Sequence, residues 1–179
     1  MTGSNAILVA FRSRFGWVRN PKVGREACGR RPPSALRART VLDSSVLVAA
    51  LVTPSPASAS SIILAAAAAG AVRLVVSDAL EEEYRRAVEF RQAIRYSAKV
   101  NRQAFVSAVV AVADRILAGE ATGLVTRDPA DDMVLAAAIG GRADWVVSLD
   151  RRLIDLAKVE GVRVLRPGEF LVELRRRAG

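Results

Sequence analysis

The sequence predicts an α/β protein: a three-layer α/β/α sandwich around a central parallel sheet of four to five strands. Two observations carry this reading. Short apolar, β-branched runs at residues 73–77 and 145–149 lack polar alternation, as strands buried on both faces do, and a further short run follows at 162–165. Helical segments separate them, and strands alternating with helices build a parallel sheet. A shorter run, Thr40-Val41-Leu42, ends in Asp43 and precedes a second apolar stretch over 46–52.

The remaining elements follow in order. Thr53-Pro54-Ser55-Pro56 is a loop, after which Ser58 or Ser60 caps a helix over 61–69 and Gly70 stops it. The strand over 73–77 leads into a helix with Asp78 as N-cap, and another helix is predicted from about 101 to 117. Residues 122–126 are a weak strand candidate. Asp128 and Pro129 open a helix running to Ile139, with Asp128 as cap and Pro129 in the first turn. The strand over 145–149 ends at Asp150. Residues 151–159 read as helix, Gly161 breaks it, 162–165 is a strand and 167–177 a last helix.

Composition narrows the chemistry. The chain has 179 residues, room for one ordinary domain, and no apolar run near the roughly 20 residues needed to span a bilayer, so no membrane partner is expected. It contains no histidine, which excludes Ser-His-Asp and Cys-His catalysis and histidine metal ligation. One cysteine, Cys28, permits neither an internal disulfide nor a thiolate zinc cage. Carboxylates, hydroxyls, lysine and arginine remain.

The net charge of +9 is concentrated at one end. The first 40 residues hold nine Lys/Arg against one acid, Glu26, which leaves only +1 for the rest. Two units are therefore expected: a basic, weakly structured extension over 1–39 and a folded domain over 40–179. A phosphate-binding arm and a transit-like segment are competing readings of the extension. The plainer one is an extension preceding a start near Val41.

Acidic residues gather where such a sheet binds ligands, beyond the carboxyl ends of its strands. Asp43 and Asp150 each end a strand. Glu81, Glu82 and Glu83 follow a third; a helical wheel buries Leu80, Tyr84, Ala87 and Val88, sets Glu82 opposite and leaves Glu81 and Glu83 flanking. Asp131 and Asp132 open a helix that is apolar all round, and periodicity does not choose between them. Capping and helix-dipole complementation account for any one of these acids. Several carboxylates around one pocket point to a hard divalent cation, Mg²⁺ or Mn²⁺, which orients phosphates and activates water.

At these residues the sequence resembles the PIN-domain family of metal-dependent nucleases, and in particular the VapC-like toxins of toxin–antitoxin pairs. The stretches are Val41-Leu42-Asp43-Ser44-Ser45, Ser77 to Tyr84, Asp128 to Ala138, and Ala143 to Asp150 with Ser148 two residues before its aspartate. The resemblance implies the strand order 3-2-1-4-5. It implies Asp43, Glu83, Asp132 and Asp150 as the catalytic and metal-binding quartet, selecting Glu83 over Glu81 and Asp132 over Asp131. Ser45 and Ser148 would be hydroxyl partners of the carboxylates or of water on the metal. It also implies a cytoplasmic, Mg²⁺-dependent endoribonuclease acting on single-stranded or looped RNA, with a small antitoxin as partner and a homodimer as assembly. Ser45 replaces the family's more usual Asn, and Arg152 stands where many relatives carry a further Asp. Arg151 and Arg152 could meet substrate phosphate. Two alternatives stand beside this reading. A non-catalytic PIN-like RNA-binding or assembly module would lack an acid of the quartet, and none is lacking. A phosphotransfer aspartate fold would need an Asp-x-Asp-x-Thr sequence after the first strand and a lysine near the fourth, and neither is present.

Overall fold

A computed structural model describes residues 38–53, 55–97, 100–117 and 129–178. Most of the extension predicted over 1–39, the strand candidate over 122–126 and the capping role of Asp128 lie outside them.

Six strands form one sheet in the order β3-β2-β1-β4-β6-β5. They are β1 (Arg39–Leu42), β2 (Arg73–Ser77), β3 (Asp114–Ile116), β4 (Trp145–Val147), β5 (Lys158–Val159) and β6 (Val162–Leu165). Every pairing is parallel except β5 with β6. Eight helices flank the sheet among the described residues: α1 (Ser44–Val52), α2 (Ala59–Ala68), α3 (Asp78–Ala87), α4 (Arg91–Tyr96), α5 (Arg102–Val110), α6 (Pro129–Gly140), α7 (Arg151–Asp155) and α8 (Pro167–Ala178). The expected α/β architecture is present, and the order 3-2-1-4 is as expected, with the strand over 162–165 following β4. The chain runs outward from β1 through β2 to β3, then returns to lay β4 on the other side of β1. That reversal opens a crevice between β1 and β4 at their carboxyl ends.

Burial explains the strands. Val41, Leu42, Val75, Val146 and Val147 are each at most 1% exposed, so both faces of the sheet centre are covered. α6 packs across β1, β2 and β4, and its residues Val134 to Ala138 are all buried. Gly141 follows at the point of closest approach, where a Cβ would collide with Val75 Cγ1 and the Ala137 carbonyl. On β4, Trp145 meets Phe170 of α8 edge to face, with ring centroids 5.3 Å apart, and the Arg177 guanidinium covers its ring at 4.2 Å.

Four local expectations are corrected. The helix from 101 ends at Val110, and residues 114–116 form edge strand β3 instead. Asp114 is held there by Arg73 of the adjacent β2 at 2.5 Å and by Arg39 of β1, one strand further in, at 3.1 Å. The helix from 151 stops at Asp155. Ala157 adopts a φ of 56°, and Lys158–Val159 turns back antiparallel to β6 through Glu160 and Gly161, both at positive φ. α3 is capped by Ser77, whose hydroxyl accepts from the Leu80 N–H at 3.2 Å, so Asp78 is its first helical residue and not its cap. The strand over 145–149 is shorter, ending at Val147. The Ser58 cap of α2 is as expected, its hydroxyl accepting from the Ser61 N–H at 3.2 Å.

Candidate active site

β1 and β4 run in register, Val41 opposite Val146 and Leu42 opposite Val147. The ladder continues one step beyond β1, where the Asp43 N–H donates to the Val147 carbonyl at 2.9 Å. Asp43 therefore leaves the sheet beside Ser148, and two hydroxyls converge on one of its oxygens. Ser148 Oγ donates to Asp43 Oδ2 at 2.8 Å, and Ser45 Oγ donates to the same Oδ2. Each serine also accepts from the loop after β4: Ser45 from the Leu149 N–H at 3.0 Å, Ser148 from the Asp150 N–H at 2.8 Å. The two strand ends are thus stapled together around one carboxylate, leaving Oδ1 for a ligand.

Asp150 is exposed, and its Oδ1 caps α7 by accepting from the Arg152 N–H at 2.8 Å. The capping role of an aspartate after a strand is real here, and it occupies one of its two oxygens.

Asp43, Glu83 and Asp150 line a single cleft of about 350 Å³, together with Ser44 and Ser45. Val48, Ala87, Phe90, Ala93 and Val134 also line it. Three acids of the expected quartet, from three separate elements, therefore share one cleft. The fourth differs. Asp131, buried at the start of α6, lines the cleft, and Asp132 does not. The reason is helical phase: Val134, three residues after Asp131, lies on the same face and also lines the cleft, whereas Asp132 is turned about 100° away. Ser148 is fully buried behind Asp43.

The three glutamates of α3 divide as the helical wheel predicts. Glu82 is exposed, and Glu83 is a quarter exposed at the cleft, with Arg86 at 3.6 Å. Glu81 is taken up by an ion-pair cluster: Arg85 bonds it at 2.6 Å, and Arg115 bridges it to Asp78. The hydrogen bond from Arg85, opposed by burial and aided by the Arg115 charge, holds its carboxyl below the usual range. Tyr84 donates its hydroxyl to the Leu42 carbonyl and anchors α3 against the end of β1. Burial first, and the nearby Asp43 charge second, push that hydroxyl far above its ordinary pKa, so it stays neutral. Beyond the acids, sequence reading missed Phe90 and Ala93 as cleft residues; helix α4, which carries Ala93, was not foreseen.

A sequence model of the PIN domain matches residues 39–152, well over half of the chain. The chain belongs to the PIN-domain family. No curated protein and no solved structure matches it. A PIN domain generally implies metal-dependent nuclease activity and RNA binding, and no helix among the described residues is long and apolar enough to cross a membrane.

The donor set of this PIN domain suits a hard divalent cation, being oxygen throughout. Among the described residues, no three His, Cys, Asp or Glu side chains stand close enough to hold one ion by direct ligation alone. That is compatible with Mg²⁺, which keeps several waters and takes one or two carboxylates directly. Two carboxylates about 8 Å apart at an effective dielectric of about 20 repel by about 2 kcal/mol, a cost that a cation between them offsets.

Proposed function

We propose that the protein is a Mg²⁺-dependent endoribonuclease cleaving single-stranded or looped RNA, with Mn²⁺ able to replace Mg²⁺, and that it is the toxin of a toxin–antitoxin pair. One observation carries the reading: acids from β1, α3, α6 and the end of β4 line one cleft at the sheet's reversal point. Asp43, Glu83, Asp131 and Asp150 would hold the ion, partly directly and partly through its water shell. When bound, the ion supplies positive charge beside the scissile phosphate and a water more acidic than bulk water. Ser45 and Ser148 orient Asp43 by occupying its Oδ2, and through the Leu149 and Asp150 amides they fix the loop that carries Asp150. Val48, Ala87, Phe90, Ala93 and Val134 give the cleft apolar lining beside its acids. The toxin role, the cytoplasmic site of action, the homodimer and a small antitoxin filling the cleft rest on the resemblance to VapC-like chains.

The test is cleavage of a single-stranded RNA with Mg²⁺, with chelator, and by Asp43→Asn. Asp43→Asn keeps an oxygen to accept from both serines, so the fold should persist while cleavage falls at least about 100-fold. RNA binding with no cleavage in either metal would identify a non-catalytic RNA-binding module instead. Induced expression that arrests growth, for the unaltered chain and not for Asp43→Asn, is the result expected of a toxin.

A further inference from the structure

The cleft has an aromatic doorstep. Phe90 lines it, yet Phe90 is 68% exposed, and it begins helix α4, on which Ile94 and Tyr96 are 42% and 61% exposed. The Ile94 N–H donates to the Phe90 carbonyl, which sets these two side chains on one face. Ala93, between them, is fully buried and faces the cleft. The Arg95 guanidinium lies 5.8 Å from the centre of the Tyr96 ring, making that aromatic a positively charged ledge. Exposed Arg86 stands nearby on α3.

We infer that Phe90 stacks on the unpaired base next to the scissile phosphate and Tyr96 on a further base of the same strand, with Arg95 meeting the backbone. This rests on the nuclease reading and adds to it how the substrate is held. A single-stranded nucleic acid offers flat apolar faces at intervals along an anionic backbone, and aromatic side chains beside cations are what such a strand binds. Phe90 and Tyr96 are six positions apart, about 9 Å along the axis and about 120° around it, so they meet two separate bases of one strand passing over α4. Charged Arg95 stands between Ile94 and Tyr96, and Phe90 and Tyr96 lie on different sides of α4. They offer separate stacking points in place of the continuous apolar face that a protein partner would bury. Phe90 continues directly into the acidic cleft, so a base stacked on it places its own phosphate at the carboxylates.

The experiment measures binding of a short single-stranded RNA to the full chain in an Asp43→Asn background, which keeps the RNA intact. The measurement is made at raised salt, which lowers the non-specific attraction of the basic residues 1–40 for phosphate. Phe90→Ala and Tyr96→Ala should each weaken binding by about tenfold, while Phe90→Trp and Tyr96→Phe retain it. Both side chains are largely exposed, so neither variant should melt earlier. An RNA of the same length lacking bases at the positions beside the cut should bind the parent weakly and lose nothing further on either substitution. Equal binding of the base-bearing and abasic RNAs, or unchanged binding by both alanine variants, overturns the inference. So does a change confined to the sedimentation of the chain, which would mark the patch as a contact between two copies. Cleavage by the unaltered chain is read separately: its failure would sink the nuclease reading, and the base-dependent binding would still decide the platform.

Discussion

Removing the Ser148 hydroxyl is the sharpest test of how the site is held. Ser148 is fully buried, and its Oγ makes two hydrogen bonds, donating to Asp43 Oδ2 and accepting from the Asp150 N–H, both at 2.8 Å. In Ser148→Ala the first loss is a bond to a charged acceptor, worth about 1.5–3 kcal/mol. The second leaves a partly buried amide that water can reach in part, for about 1 kcal/mol. The sum, about 2–4 kcal/mol, lowers the melting temperature by about 5–15 °C at about 2–4 °C per kcal/mol. Ser45 still bonds Oδ2, so the carboxylate is half braced and free to rotate. A misplacement on the scale of 1 Å costs about 100-fold in rate, and a loss of about 10–100-fold is expected in kcat. Thermal melts and RNA cleavage well below both melting points measure the two effects. Val162→Ala, a core truncation on β6 remote from the cleft, supplies a destabilised control that should still cut at the full rate. If Ser148→Ala melts with the parent, the hydrogen-bond accounting is wrong. If it is destabilised yet cuts as fast as Val162→Ala, the serine holds the fold and not the chemistry.

Two further outcomes are expected. Asp131→Asn should abolish RNA cleavage while Asp132→Asn keeps most of it, because only Asp131 lines the cleft; the reverse result in the same cleavage assay would restore the assignment drawn from the family resemblance. Glu81, whose folded-state pKa is lowered by Arg85 and Arg115, contributes stability that is present above its unfolded pKa of about 4.5 and lost as pH falls through the lower folded value. Melting temperatures from pH 7 to pH 2 should therefore fall less steeply on the acid side for Glu81→Gln, which starts lower at pH 7; parallel curves would remove Glu81 from the acid response.

What the sequence discloses depends on where the determining contact lies. β1, β2 and β4 are legible because a strand buried on both faces must be apolar at consecutive positions, and β6 because Gly161 sets off its β-branched run. β3 is not, for Asp114-Arg115-Ile116 carries one apolar residue and lies at the sheet edge. Its anchors are Arg39 and Arg73, distant in the chain, and nothing near Asp114 announces them. β5 is hidden for a related reason: two residues pair only because Ala157 and Glu160, neither of them glycine, adopt positive φ around them. Strand-end acids read out well, since the position of a residue just past a buried strand is itself the signal; hence Asp43 and Asp150.

Acids on helices are legible only as far as the helix has a phase. α3 alternates buried Leu80 and Tyr84 with polar neighbours, so its wheel sets Glu82 outside and leaves Glu81 and Glu83 at the flanks. Spacing alone does not break the tie, since Arg85 follows Glu81 and Arg86 follows Glu83 at helical intervals; Arg115 of β3, distant in the chain, adds the second bond that takes up Glu81. α6 has no such phase: after its two aspartates, Met133 to Ile139 is apolar on every side, so rotating it by 100° changes nothing in the pattern. Only packing across β1, β2 and β4 fixes that rotation, and it brings Asp131 with Val134 to the cleft. A helix that is apolar all round conceals which of its end side chains face a pocket, and which of the two aspartates lines the cleft has to be read from the fold.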